Sequence, residues 1–263
     1  MHIYIVSRGR HEECPTLESL VKLPPSYKRT LVVHKDETCL YEPLAKKYRT
    51  GLLSFDYENI GEKRLSIGQQ AGDKFVMMDD DLTFFKRKSP TDWHLTRFVE
   101  GDAQRMMDSI DKQLDTFAHV GVSGREGQNR LPRGVVFNTR YMRVLAYQKQ
   151  EYLACEHNRV QFMEDFDINL QLLRKGYPSC ILTNYAHNQK STQAKGGCSR
   201  TRTKETHALA ATKLKELHPD FVTLQEKQNK TGGDFGTRLE VRVKWKRALA
   251  SAHYIELPKR PLR

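Results

Sequence analysis

Four short apolar runs punctuate the first third of the chain, and their spacing restricts the fold more than any other feature. They lie in HIYIVSRGR (residues 2–10), RTLVVHKDE (29–37), GLLSFDYENIGEKR (51–64) and DKFVMMDDD (73–81), and each ends in a polar turn. Between them, CPTLESLVKL and YEPLAKKY carry apolar residues at helical spacing, with Pro15 and Pro43 expected near helix starts, where proline is tolerated. Short β-type runs alternating with helices predict an α/β fold with a largely parallel, Rossmann-like sheet flanked by helices. Such sheets bind ligands beyond the carboxyl ends of their strands, which places Ser7, Arg8, Arg10, His34, Asp36 and the run Asp79-Asp80-Asp81 on one edge.

After Asp92 the pattern changes. The stretch WHLTRFVEGDAQRMMDSIDKQLDTFAHV reads as a helix with Leu95, Phe98, Val99, Met106, Met107, Ile110 and Leu114 on its apolar face. HVGVSG and RGVVFNT read as strands around the polar loop REGQNRLP, and FMEDFDINLQLLRKGYP as a helix stopped by Gly176 and Pro178. Beyond SCILTNYAH, the segment NQKSTQAKGGCSRTRTKE reads as a flexible loop and residues 204–217 as a helix. RLEVRVKWKRAL alternates apolar and charged residues as a strand does. The expected division is residues 1–203 as one domain and 204–263 as a basic helix-and-strand extension packed on it.

Charge points to a polyanionic partner. The net charge is +12, and from Ala186 onward 17 Lys and Arg face 7 Asp and Glu, a surplus of 10 in the last third. Five scattered cysteines without a Cys-x-x-Cys pair argue against a disulfide framework or a cysteine zinc site and fit a reducing cytoplasm, that of the host for a viral protein. No apolar run is long enough for a signal-peptide core or a spanning helix, so the expectation is a protein without membrane attachment, and a monomer.

Three adjacent carboxylates repel one another unless a cation intervenes. On a strand, Asp79 and Asp81 share a face and Asp80 points away, which suits Mg²⁺ or Mn²⁺ held by two carboxylates and substrate phosphates. The alternative is helix capping or pairing with surface lysines. In the absence of substrate the cluster is then expected to be strained or poorly ordered, its counter-charge arriving with the ligand. Glu164 and Asp165 at a helix start are candidates for general base, Asp165 first, with capping as the competing explanation.

VSRGR, MMDDDL, GVVFNT, MEDFDINLQLLRKGYP and GGCSRTRT, in this order over roughly residues 2 to 205, resemble the TET-associated glycosyltransferases of bacteriophages, a branch of the GT-A nucleotide-sugar glycosyltransferases. The resemblance implies transfer of a sugar from a nucleoside diphosphate sugar, with uridine the expected nucleotide, to the hydroxyl of a hydroxymethylated pyrimidine in DNA, 5-hydroxymethylcytosine foremost. It implies Asp79 and Asp81 as metal ligands with His187 completing the site, and Asp80 orienting the donor or bracing the turn. Ser7, Arg8, Arg10, Lys63 and Arg64 become candidates for the donor, and His34 for its base. Lys190, Lys195, Arg200 and Arg202 around Gly196-Gly197 would close over phosphates or clamp DNA, with Lys244, Lys246 and Arg247 beside Trp245 as a second basic stripe. A base inside a duplex is out of reach, so flipping is expected. A polysaccharide or protein acceptor, a metal-dependent nuclease or phosphatase, and a non-catalytic DNA-binding protein are the competing classes.

Overall fold

The apolar runs form strands because each alternates between two covered faces. The computed structural model describes residues 1–89, 92–125, 134–189, 197, 202–228 and 236–252. In chain order these contain β1 (His2–Val6), α1 (Pro15–Ser19), β2 (Lys28–His34), α2 (Thr38–Tyr48), β3 (Gly51–Phe55), α3 (Ile60–Gln70), β4 (Lys74–Asp79), β5 (Leu82–Arg87) and β6 (Leu95–Arg97). Then come α4 (Asp102–Gln113), β7 (His119–Gly124), β8 (Val135–Phe137), β9 (Val144–Gln148), α5 (Lys149–Leu153), α6 (Glu164–Arg174) and β10 (Ser179–Gln189). The last are α7 (Lys204–Leu217), β11 (Val222–Gln228), β12 (Thr237–Val243) and α8 (Trp245–Ala250).

A 10-stranded sheet runs in the order β3-β2-β1-β4-β9-β7-β10-β5-β6, with β8 on β10. The ladders from β3 to β4 and between β7 and β10 are parallel, so the α/β class with a mostly parallel sheet is as expected. Ile3, Ile5, Leu31, Val33, Val76 and Met78 face α1, α2 and α4, while Tyr4, Val6, Val32, Phe75 and Met77 face α3, α5 and α6. Each fully buried aliphatic side chain contributes about 1.5–3 kcal/mol relative to exposure. A third cluster joins α6 to α7, α8, β11 and β12 through Phe166, Leu170, Ala211, Leu214 and Val222.

Several local expectations are corrected. Residues 95–97 form β6, and the helix starts only at Asp102, because Gly101 adopts φ 82° and the buried Asp102 carboxylate accepts the Val99 amide at 2.8 Å. Leu95, Phe98 and Val99 therefore lie off the helix, and Val99 is exposed. Pro43 sits inside α2 rather than at its start, whereas Pro15 does open α1. Strand β9, VLAYQ, escaped the sequence pattern. Most of the polar loop 125–132 lies outside the described residues.

His119 on β7 is fully buried, with Nδ1 2.7 Å from the Tyr141 hydroxyl and Nε2 donating to the Tyr177 carbonyl at 3.0 Å. Burial lowers its imidazole to about 4. The unfolded chain binds this proton near pH 6.5 and the folded protein only near 4, so stability present above about pH 6.5 is lost as pH falls through that window, by about 3 kcal/mol. Urea titrations at pH 7.5 and pH 4.5 should show a loss that His119→Gln reduces by that amount. An unchanged difference in the variant refutes the assignment.

Candidate active site

The acidic run is a turn rather than a strand end. β4 stops at Asp79 and β5 begins at Leu82 on the far side of the sheet, leaving Asp80 and Asp81 to make the crossing. Thr16 of α1 braces it: its hydroxyl donates to the Asp79 carbonyl at 2.6 Å and accepts the Leu82 amide at 3.0 Å, and its own amide donates to the Asp80 carbonyl at 3.2 Å. Strand alternation therefore does not carry past Asp79. Asp80 and Asp81 converge on Arg10, whose Nη1 lies 2.6 Å from Asp80 Oδ1 and 2.9 Å from Asp81 Oδ2, whereas Asp79 turns to Arg64 at 3.4 Å.

These contacts correct the expectation that counter-charge arrives only with a ligand. Arg10 and Arg64 already provide it, from positions 70 and 15 residues away in sequence. Desolvation pushes the Asp79 carboxyl up, to about 7, opposed by Arg64 and reinforced by Asp81 and Asp80. Asp80, buried against Ser7 and Arg10, is also raised, through desolvation. Asp81 Oδ2 accepts from Gln189 Nε2 at 3.1 Å, while its Oδ1 is buried without a hydrogen-bond partner.

The second acidic pair meets the first through Arg64. Met163, at φ 65°, turns the chain sharply into α6, and Glu164 Oε1 lies 2.5 Å from Arg64 Nη1. Arg64 is thus a bridge between β4 and α6. Desolvation opposes its charge, but Glu164 and Asp79 hold it protonated more firmly than usual. Burial raises the Glu164 carboxyl against that pull, and Arg202, stacked on Phe162 at 4.8 Å, adds positive charge nearby. Among the described residues Asp165 has no such partner; its Oδ1 accepts the adjacent Phe166 amide at 3.0 Å. Asp167, also in the first turn of α6, is buried between Arg159 at 2.6 Å and His218 at 2.7 Å.

Around the ends of β1, β2 and β3, Tyr57 forms a shelf. Lys63 Nζ lies 4.9 Å and the Arg8 guanidinium 5.7 Å from its ring centre, and His34 meets it edge-on at 4.9 Å. Ser7 and Lys63 are internal: Lys63 donates to the Ser7 carbonyl at 2.6 Å, and Ser7 Oγ bonds the Tyr41 hydroxyl at 2.7 Å and the Asp80 carboxylate. Arg8 pairs with Asp36 at 3.0 Å and Glu37 at 3.4 Å. Sequence reasoning missed Tyr41, Tyr57 and Glu37; only Tyr57 had a signal, as an aromatic in the loop after the third run.

Comparison with known proteins gives the family of the chain. Residues 1–197 match the family described as TET-associated glycosyltransferase. The chain belongs to that family. It is a glycosyltransferase, as the motifs implied. No curated protein matches it. Among solved structures it is similar to the inositol-1-phosphate CTP transferase from T. maritima, with 10% identity over 82% of this chain and 96% of that one and a TM-score of 0.43. It is also similar to a putative nucleotide-diphospho-sugar transferase from Desulfovibrio desulfuricans G20, with 8% identity over 82% and 97% and a TM-score of 0.44. These likenesses are too low to bear on activity.

Asp79 and Asp81 are the side chains that would hold a divalent ion, each now turned to an arginine. The orphaned Asp81 Oδ1 and the raised Asp79 carboxyl are hard oxygen donors seeking positive charge. Among the described residues no three His, Cys, Asp or Glu side chains gather as a metal-holding group, so His187 does not join the aspartates here. It is fully buried on β10, and burial, followed by the Arg143 charge, lowers its imidazole to about 3.

The basic residues separate. Arg202 is beside Glu164, and Lys244 caps the start of α8 with Lys246 in its first turn, rather than both lying on a continuous strand, since the ladder ends at Val243. Lys190, Lys195 and Arg200 lie outside the described residues, while Gly197 donates its amide to the Arg8 carbonyl at 2.7 Å. No helix among the described residues is long and apolar enough to cross a membrane.

Proposed function

We propose that this glycosyltransferase moves a sugar from a uridine diphosphate sugar to the hydroxyl of a hydroxymethylated pyrimidine in DNA, 5-hydroxymethylcytosine foremost. The observation that carries the reading is the meeting of the Asp79-Asp80-Asp81 turn with the start of α6 at one sheet edge, joined by Arg64. One acidic group suits a cation-bound diphosphate, and the other suits an acceptor hydroxyl. The Tyr57 shelf with His34 and Arg8 is a place for the nucleotide, with Lys63 bracing it from inside. The surplus of 10 positive charges beyond Ala186 supports a polyanionic acceptor.

In this reading Glu164, neutralised by Arg64, is a fixture, and Asp165 is the general base. Asp165 takes the proton of the acceptor hydroxyl as its oxygen bonds to the anomeric carbon and the bond from that carbon to the diphosphate oxygen breaks. Mg²⁺ or Mn²⁺ on Asp79 and Asp81, when bound, supplies charge neutralisation of the leaving diphosphate. Arg10 and Arg64 keep the carboxylates oriented and sit close to where that negative charge develops.

The test is incubation with hydroxymethylated DNA, Mn²⁺ and a panel of nucleotide sugars, followed by mass measurement of the digested nucleosides. A gain of one hexose or related sugar, abolished by chelation of the metal, is expected. No gain with any donor overturns the acceptor assignment.

A further inference from the structure

The C-terminal hairpin and α8 build a groove that none of the chemistry above uses. It measures about 410 Å³ and is walled on one side by Val136, Asn138 and Thr139, and on the other by Lys244, Lys246 and Arg247 beside Trp245. Both walls are fastened to α6. Asn169 Nδ2 donates to the Thr139 carbonyl at 3.4 Å, Trp245 packs on Phe166 with ring centres 5.4 Å apart, and the Arg140 guanidinium lies 4.8 Å from the Phe166 ring centre. Phe166 directly follows Asp165, so the groove adjoins the first turn of the helix that carries the candidate base. The loop forming its first wall continues to Arg143, whose carbonyl accepts the Asp79 amide at 3.0 Å.

The electrostatics of the groove are one-sided. Lys244, Lys246 and Arg247 are exposed, no Asp or Glu lines the groove, and none of the three has an ion-pair partner among the described residues. Three lysines elsewhere on the surface are paired, Lys22 with Glu100 at 3.0 Å, Lys35 with Asp56 at 2.7 Å and Lys213 with Glu216 at 3.3 Å. Three cations within four residues, left unmatched beside a pinned aromatic, repel one another until a polyanion lies across them. Asn138 and Thr139 opposite offer polar groups of the kind that contact phosphate oxygens.

We propose that this groove holds the phosphodiester backbone of the acceptor strand next to the nucleotide presented to Asp165. The proposal rests on the DNA-acceptor reading above and adds where the strand enters. Backbone contacts of this kind position the strand without reading its sequence, so their loss weakens binding equally for all sequences.

Fluorescence anisotropy with a labelled hydroxymethylated duplex, titrated across salt concentrations, tests it. The combined variant Lys244→Gln, Lys246→Gln, Arg247→Gln is compared with the wild type and with Lys46→Gln, Lys47→Gln, Lys112→Gln, which removes equal charge from α2 and α4 on the opposite face of the sheet. The groove variant should bind at least about tenfold more weakly and lower the slope of log K against log salt by about 2 to 3, with modified and unmodified duplexes affected alike. The control should keep most of the affinity and slope. If the wild type binds and glycosylates DNA but the groove variant matches the control, the groove assignment falls while the acceptor reading stands. If the wild type neither binds nor modifies any DNA, both fall.

Discussion

Asp165→Asn is expected to lower the rate of sugar transfer by roughly 10²- to 10⁴-fold while leaving donor affinity close to that of the wild type. The amide keeps the size of the side chain and can still accept the Phe166 amide, which Asp165 Oδ1 does at 3.0 Å, so α6 should start unchanged. What it loses is a site for the acceptor proton. Glu164 cannot substitute, because it is held at 2.5 Å by Arg64 and only 13% of its side chain is exposed. Single-turnover rates with saturating donor separate the two carboxyls: an Asp165→Asn enzyme of near wild-type rate, with Glu164→Gln inactive, would reverse the assignment. The magnitude matters, since loss of a cap alone costs about 0.5–2 kcal/mol of stability and leaves kcat nearly intact.

The strands of the first third were legible because each has its own period and its own terminating polar turn, and the acidic groups were legible because three adjacent carboxylates require a reason. What one-dimensional reading could not supply was pairing. Arg10 and Asp80 are 70 residues apart and Arg64 and Glu164 are 100 apart, so nothing local marks them as partners. Taking Asp79 and Asp81 as same-face neighbours failed for a different reason: the rule holds only while the strand lasts, and Thr16 of α1 caps the turn immediately after Asp79. The alternation in RLEVRVKWKRAL misled in the same way, continuing by coincidence past Val243 into a helix whose Trp245 packs on Phe166. β9 was missed because its five residues run into KQEYL, which is helical, without an intervening glycine or proline.

Arg64 is where these failures and the chemistry coincide, and removing it should have a double effect. Its side chain is 9% exposed and touches two carboxylates, Glu164 at 2.5 Å on α6 and Asp79 at 3.4 Å at the end of β4. Arg64→Met keeps the length and much of the volume of the stem but strands two carboxyls in a desolvated cleft. Breaking one member of a buried charge set costs about 3–5 kcal/mol, part of which the protein recovers by protonating Glu164, whose carboxyl burial already raises. The expected result is a lower urea midpoint at pH 7.5 together with loss of transfer. The stability loss should shrink as pH falls, because an acid whose folded value lies above its unfolded one binds the proton more readily in the folded state and gains stability as pH drops through that folded value. A merely misfolded protein would not recover on acidification. Combining Arg64→Met with Glu164→Gln supplies the second measurement: the double variant should regain stability relative to Arg64→Met, since the stranded Glu164 carboxylate is gone, yet stay inactive with Asp79 displaced. Equal stability of the single and double variants would mean that Arg64 acts through packing alone, and the electrostatic bridge between the acidic turn and α6 would have to be abandoned.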